Sequence, residues 1–268
     1  MHSLVRQHRN MTPNVTGHLT ALSVGGHNKK FSINRQFIKF CKHDSKVFDI
    51  CKREELASII GELIGVPVVK AWCLPMSHLT SPPSLGPEFV PNEFVVMPLL
   101  DGGSFQQYRD AAASIVKSRI DQIKDVFAYM HWIGDDDRGI ADVMTEGDHF
   151  VLVDNGLTGP PLFQTPLRGS HPYPHMLTNN RGQIVKKCIH EKPSLVAFVV
   201  RDVGVSSDRL RDPSVISRIE LVEEDVLREI VSDLGMDSRI ASQLIERKNT
   251  LRSDFTLWID ELQSHMRK

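Results

Sequence analysis

Gly134-Asp135-Asp136-Asp137-Arg138-Gly139-Ile140-Ala141-Asp142 leads, ten residues after its last aspartate, into Leu152-Val153-Asp154-Asn155-Gly156. Between them lie Val143-Met144, a turn at Glu146-Gly147-Asp148 and the run Phe150 to Val153, the pattern of a compact β-hairpin. A hairpin brings the chain back on itself, so Asp154 is expected beside Asp142. Upstream, Val116, Ile120, Ile123, Phe127 and Met130 recur at spacings of four and three. That spacing predicts one long helix with a single buried stripe, ending near Gly134. An acidic run after a helix is by itself an ordinary solvated turn. The separation of Asp137 from Asp142 by five positions, and a third carboxylate at the far end of the hairpin, make it more than that.

Phosphoryl transfer asks little covalent chemistry of a protein. It needs a carboxylate to orient the attacking hydroxyl, oxygen ligands for magnesium and a cation on the nucleotide phosphates. Asp137 suits the first role. Asp142 and Asp154 suit the second, because magnesium accepts two carboxylates and completes its shell with phosphate oxygens and water.

The cation is sought upstream. Short apolar runs, Leu19 to Val24 and Lys30 to Ile33, flank Gly25-Gly26-His27-Asn28, and Phe37-Ile38-Lys39-Phe40 reads as a third strand. The glycine pair predicts a hairpin turn whose backbone N–H groups can approach phosphate. Lys39 sits among apolar residues, and Glu54 and Glu55 follow 15 and 16 positions later at the head of a helix over 54–64, marked by Leu56, Ile59, Ile60, Leu63 and Ile64. A Lys–Glu pair would hold the ammonium toward phosphates, with Glu54 the first choice and Glu55 the alternative. Lys29, Lys30 and Lys42 compete with Lys39. Gly65 stops the helix, Val66-Pro67-Val68-Val69 reads as a strand, Ser77 to Pro91 as a loop and Glu93 to Leu100 as another strand. Residues 156–185, with His171-Pro172-Tyr173-Pro174-His175, read as an exposed loop rather than a metal site, and helical patterns run from about Ser214 to the end. The expectation is an α+β chain in two lobes. A loose lead-in spans 1–17, a β-rich N-lobe with one main helix 18–99, and a helical C-lobe 100–268, with a hinge near 97–102.

A chain of 268 residues has room for such a pair of packed lobes. Lys and Arg number 32 against 33 acids, so no global field recruits nucleic acid. No apolar run approaches the length of a membrane span or a secretory signal. Cys41, Cys51, Cys73 and Cys188 form no CxxC pair and read as reduced packing residues, which suits a cytoplasmic protein. Neither a GxxxxGK[ST] loop nor a GxSxG elbow is present. Trp132 and Trp258 fall in helical patterns and are expected in the core. Oligomeric state is left open.

Taken in order, Phe37-Ile38-Lys39-Phe40, Glu54-Glu55-Leu56-Ala57, Leu63-Ile64-Gly65-Val66-Pro67-Val68, Trp132, Asp137-Arg138, Asp142 and Leu152-Val153-Asp154-Asn155-Gly156 resemble the HipA-like kinases. These are bacterial relatives of the protein kinase and phosphatidylinositol kinase folds. The resemblance spans roughly residues 20–255. It implies a two-lobed protein-kinase-like fold, ATP and Mg2+ as cofactors, and a protein substrate phosphorylated on serine or threonine. It further implies Lys39 on the phosphates, Glu54 as its partner, Asp137 as the catalytic aspartate, Asp142 and Asp154 on magnesium, and backbone around Met97 to Leu99 against adenine. The chain departs from the family pattern at Asp142, where the family has Asn. That departure raises the alternative of a nucleotide-binding pseudokinase serving as a regulatory or scaffold protein. A lipid or small-molecule acceptor is the other alternative.

Overall fold

Odd and even residues of the strand Gln36–Phe40 point into different layers, and the sheet-bearing half is built around that alternation. Ile38 and Phe40 pack with Trp72, Leu74, Phe94 and Val96 under Val15, Leu79 and Phe89. Phe37 and Cys41 face the other way, with Cys51, Val69, Cys73, Val95 and Met97. Lys39 therefore shares the face that carries the main helix of this half.

The computed structural model describes residues 3–22, 28–42, 49–90, 92–135, 138–154 and 194–266. In order these form α1 (Leu4–Arg9), β1 (Thr20–Ala21), β2 (Lys29–Ile33), β3 (Gln36–Phe40), α2 (Ile50–Ile64), β4 (Trp72–Pro75) and β5 (Glu93–Pro98). Then follow α3 (Arg109–Ser118), α4 (Ile120–Ile133), β6 (Val143–Glu146), β7 (His149–Leu152), α5 (Leu195–Ala197, continued by a π-turn at Phe198–Asp202), α6 (Val215–Glu220), α7 (Glu224–Asp233) and α8 (Ser238–Met266). The first five strands make one antiparallel sheet in the order β1-β2-β3-β5-β4, and β6 and β7 pair separately. The fold is α+β in two lobes, a β-rich first part with one main helix and a helical second part.

Four segments differ from expectation. Residues 4–9, read as part of a loose lead-in, form α1, because Val5 and His8 have buried positions to fill. Val66–Val69 is not a strand of the sheet. The Val66 N–H closes the end of α2 on the Gly61 carbonyl (2.9 Å), and Pro67 has no N–H to pair, so the strand begins later, at Trp72. The single long helix is two, α3 and α4, broken where Arg119 leaves helical dihedrals (φ −117°, ψ 33°). Nor is α4 buried along one stripe. From Asp125 to Ile133 every residue is buried, since α6 and α8 pack around it.

The end of α4 fixes where the acidic run starts. Gly134 takes φ +71°, and the Asp135 N–H reaches back to the Met130 carbonyl at 3.0 Å. A Cβ at Gly134 would lie 2.3 Å from the Arg247 guanidinium, which donates to the Trp132 carbonyl at 3.1 Å. Trp132 and Trp258 are both core residues, as expected. Cys41, Cys51 and Cys73 are free and buried, and Cys188 lies outside the described residues. Among the described residues no helix is long and apolar enough to cross a membrane.

His131 lies between Phe255 and Trp258, with ring centroids at 5.6 and 5.2 Å. Burial, with Arg247 adding to it, pushes its pKa down to about 3. A depressed folded pKa means stability that is complete above the unfolded value near 6.5 and lost as pH falls toward 3. Urea denaturation at pH 7 and pH 4 should show His131→Phe losing less stability on acidification than the parent, by about 3 kcal/mol. Equal losses in the two proteins would mean that His131 does not titrate in this window.

Candidate active site

Two backbone contacts bring the end of the β6–β7 hairpin to the sheet-bearing half, and a third closes the hairpin at its base. Leu152 donates to the Pro67 carbonyl (2.8 Å), Val69 donates to the Leu152 carbonyl (2.9 Å), and Val153 donates to the Asp142 carbonyl (2.9 Å). The chain just past β7 is thus stitched to the segment that follows α2. There Asp154 adopts a left-handed backbone (φ 59°), a conformation that aspartate tolerates better than most residues.

Lys39, from the centre of the sheet, meets both Glu54 of α2 and Asp154. Its Nζ donates to Glu54 Oε1 at 2.5 Å and to Asp154 Oδ1 at 2.5 Å. Lys39 is 2% exposed and Glu54 0%, whereas Asp154 keeps 44% of its side chain open to the cleft. Burial works against the Lys39 charge, but the two carboxylates outweigh it and hold the ammonium well above its ordinary pKa. Burial likewise pushes Asp154 up, and Lys39, with Arg138 and Lys30 behind it, wins and keeps that carboxyl below its usual range. The choice between Glu54 and Glu55 is resolved in favour of Glu54. Glu55 is buried on another side of α2 and pairs with Arg9.

Asp142 lines the same cleft and accepts the Gly139 N–H at 2.9 Å. Burial pushes its carboxyl up to about 6 against the pull of Arg138 and the Gly139 N–H, and Asp154 and Asp135 push it further. Two acidic groups facing one space, one of them reluctant to ionise, make a place that favours a cation.

Arg138 was quoted in the sequence without a role, and the structure gives it one. It is buried, pairs with the buried carboxylate of Asp135, and donates to the carbonyls of Asp142 (3.3 Å) and Val153. The acidic run is therefore no solvated turn at its first residue. Its signal in the sequence was one cation embedded among four aspartates. Asp137 itself lies outside the described residues, as do Gly25 and Gly26 of the glycine turn, Asn155-Gly156 and the 156–185 segment.

The cleft between the sheet and the helical half holds about 370 Å3. Its apolar walls include Leu22, Phe37, Val69, Met97, Met144 and Val153, with Lys39, Asp142 and Asp154 at one side. A space of this size and lining is typical of a small-molecule site. The crossing from β5 to the helices runs along one edge. Gly102 there lies so near β6 that a Cβ would sit 1.6 Å from the Thr145 carbonyl oxygen. Met97 and Leu99 both line the cavity. The Leu99 N–H, however, is already donated to the Arg35 carbonyl at 2.8 Å, and Pro98 has none. Neither donor is on offer to a base. Lys30, directly opposite Lys39 in the β2–β3 register, is a second cation on the cleft wall. Burial lowers its pKa, Asp154 opposes the shift and Lys39 adds to it.

No model of a known protein family matches the chain, and no curated protein matches it. Among solved structures, the chain is similar to the Helicobacter pylori proinflammatory kinase CtkA, with 11% identity and a TM-score of 0.47 over 94% of this chain and 98% of that one. It is also similar to a chain of the Shewanella oneidensis MR-1 toxin–antitoxin complex of HipA, HipB and operator DNA, with 11% identity and a TM-score of 0.40 over 97% of this chain and 72% of that one.

Proposed function

We propose that this chain is an ATP- and magnesium-dependent phosphotransferase acting on a serine or threonine hydroxyl of a protein. The observation that carries the reading is a buried ammonium, Lys39, held between Glu54 and Asp154 at the wall of a cleft that Asp142 also lines. An ammonium so fixed presents its charge to a bound polyphosphate without first being ordered, and the apolar walls suit a nucleobase.

The donor set fits magnesium in its usual manner. Among the described residues no cluster of three His, Cys, Asp or Glu could hold a metal by itself. Asp142 and Asp154 supply two carboxylates, and a magnesium ion that also binds phosphate needs no more. When bound, the metal neutralises charge on the phosphate oxygens. Lys39 would hold the same phosphates from the sheet side. Arg138, through the Asp142 and Val153 carbonyls, keeps both candidate ligands in register. Asp137, four residues past the end of α4, would accept a hydrogen bond from the acceptor hydroxyl and take its proton. Reduced Cys41, Cys51 and Cys73 suit a cytoplasmic setting.

Incubation with γ-labelled ATP, followed by separation of protein from small-molecule products, tests the reading. Label on protein is expected, and it should disappear in Asp137→Asn while ATP still raises the melting temperature. Retained transfer in that variant removes Asp137 from the mechanism, and label only in small molecules moves the acceptor to a lipid or metabolite hydroxyl. A second reading, a nucleotide-binding pseudokinase, draws on Asp142, which stands where the resembled family has Asn and holds its proton up to about 6. Stabilisation by ATP with no transfer in either Mg2+ or Mn2+ favours it.

A further inference from the structure

Glu54 and Glu55 are consecutive, and both are fully buried. Neighbouring helical residues point about 100° apart, so when Glu54 faces Lys39, Glu55 faces another wall. There α1 meets it. Arg9 Nε donates to Glu55 Oε1 at 3.0 Å and Nη2 to Oε2 at 3.3 Å, while the Cys73 N–H donates to Oε2 at 3.3 Å. Helix α1 is itself locked in place. His8 Nε2 donates to the Ala71 carbonyl at 2.8 Å, Trp72 Nε1 donates to the His8 carbonyl at 3.0 Å, and the two rings stack at 5.2 Å. Ser3 donates to Asp233 of α7, and Val5 enters the main core. Helix α1 is thus wedged among α2, β4 and α7.

We propose that Arg9 is a positioning residue: through Glu55 it sets the rotation of α2 about its own axis that presents Glu54 to Lys39. The consequence for catalysis rests on the phosphotransferase reading, whereas the geometry does not. No side-chain cap fixes the start of α2, since Asp49 makes no capping bond and has φ 55°. A buried carboxylate deprived of its cation is driven toward water. Rotation of α2 would carry Glu55 toward water, and that motion would withdraw Glu54 from Lys39.

The test uses the full chain with Arg9→Met and Arg9→Lys, measured well below melting. In Arg9→Met the preference for ATP over adenosine and the turnover number should each fall about tenfold, with adenosine affinity unchanged. Arg9→Lys should recover most of both. A merely structural role would lower the melting temperature without moving the ATP-to-adenosine ratio, and that result overturns the proposal. Maleimide labelling of Cys51, in the first turn of α2, gives a readout independent of nucleotide. It should be faster in Arg9→Met than in Leu227→Ala, a core variant in α7 matched for melting temperature. Equal Cys51 rates overturn the positioning role whether or not the chain transfers phosphate. Faster labelling in a protein that never prefers ATP to adenosine supports the positioning of α2 and sinks the phosphotransferase reading alone.

Discussion

Lys39→Met should lower the melting temperature by about 10 °C and remove phosphoryl transfer to the level of about one part in a hundred to a thousand. Both effects follow from one buried charge. Glu54 is 0% exposed and its cation is Lys39, at 2.5 Å. A methionine keeps the volume and leaves the carboxylate without its counter-ion, a loss of about 3–5 kcal/mol in buried pairs. The same change removes the ammonium that the phosphotransferase proposal sets against the nucleotide phosphates. Thermal unfolding and initial rates with labelled ATP check the two effects separately. An unchanged melting temperature would show that Glu54 reaches water or another cation, and the central pair would lose its importance.

Asp154→Asn should behave differently, with a loss of transfer of at least about a hundredfold and stability within about 1 kcal/mol of the parent. Asn tolerates the left-handed backbone at this position as well as Asp does. The side chain is 44% exposed, and Lys39 keeps its partner Glu54, so no charge is left buried alone. What disappears, on the phosphotransferase proposal, is one of the two anionic oxygen donors it assigns to magnesium. Titration with ATP in the presence and absence of Mg2+ should show the metal's contribution to affinity largely gone. A variant that turns over at the parent rate would take Asp154 out of the metal site. Together the two substitutions separate the structural share of the Lys39 network from its catalytic share.

Much of this site was legible in the chain before any coordinates. Lys39 stood out because a strand that alternates apolar residues had a lysine at one of its positions, and Glu54 because it opened the amphipathic stretch that followed. Asp142 and Asp154 were marked by the hairpin between them. Other features left weak traces or none. Arg138 and Asp135 looked like members of a charged turn, since burial is a property of what packs around a residue and not of the residue itself. Helix α1 looked like a polar lead-in because only Val5 and His8 of its six residues enter the interior. Arg119 broke the long helix without a glycine or proline to announce it.

The amino-acid order alone determined the two-part layout, the strand carrying Lys39, the turn from α4 at Gly134 and the hairpin between Asp142 and Asp154, because each depends on periodicity or turn chemistry within a short window. Tertiary structure decided which glutamate takes the lysine, that Arg9 takes the other, that Arg138 braces the two acidic residues, and that the Leu99 N–H is spent on Arg35. Those outcomes depend on side chains from distant segments competing for the same buried space. A dehydrated charge must find its partner there, and no local pattern records who else will be present.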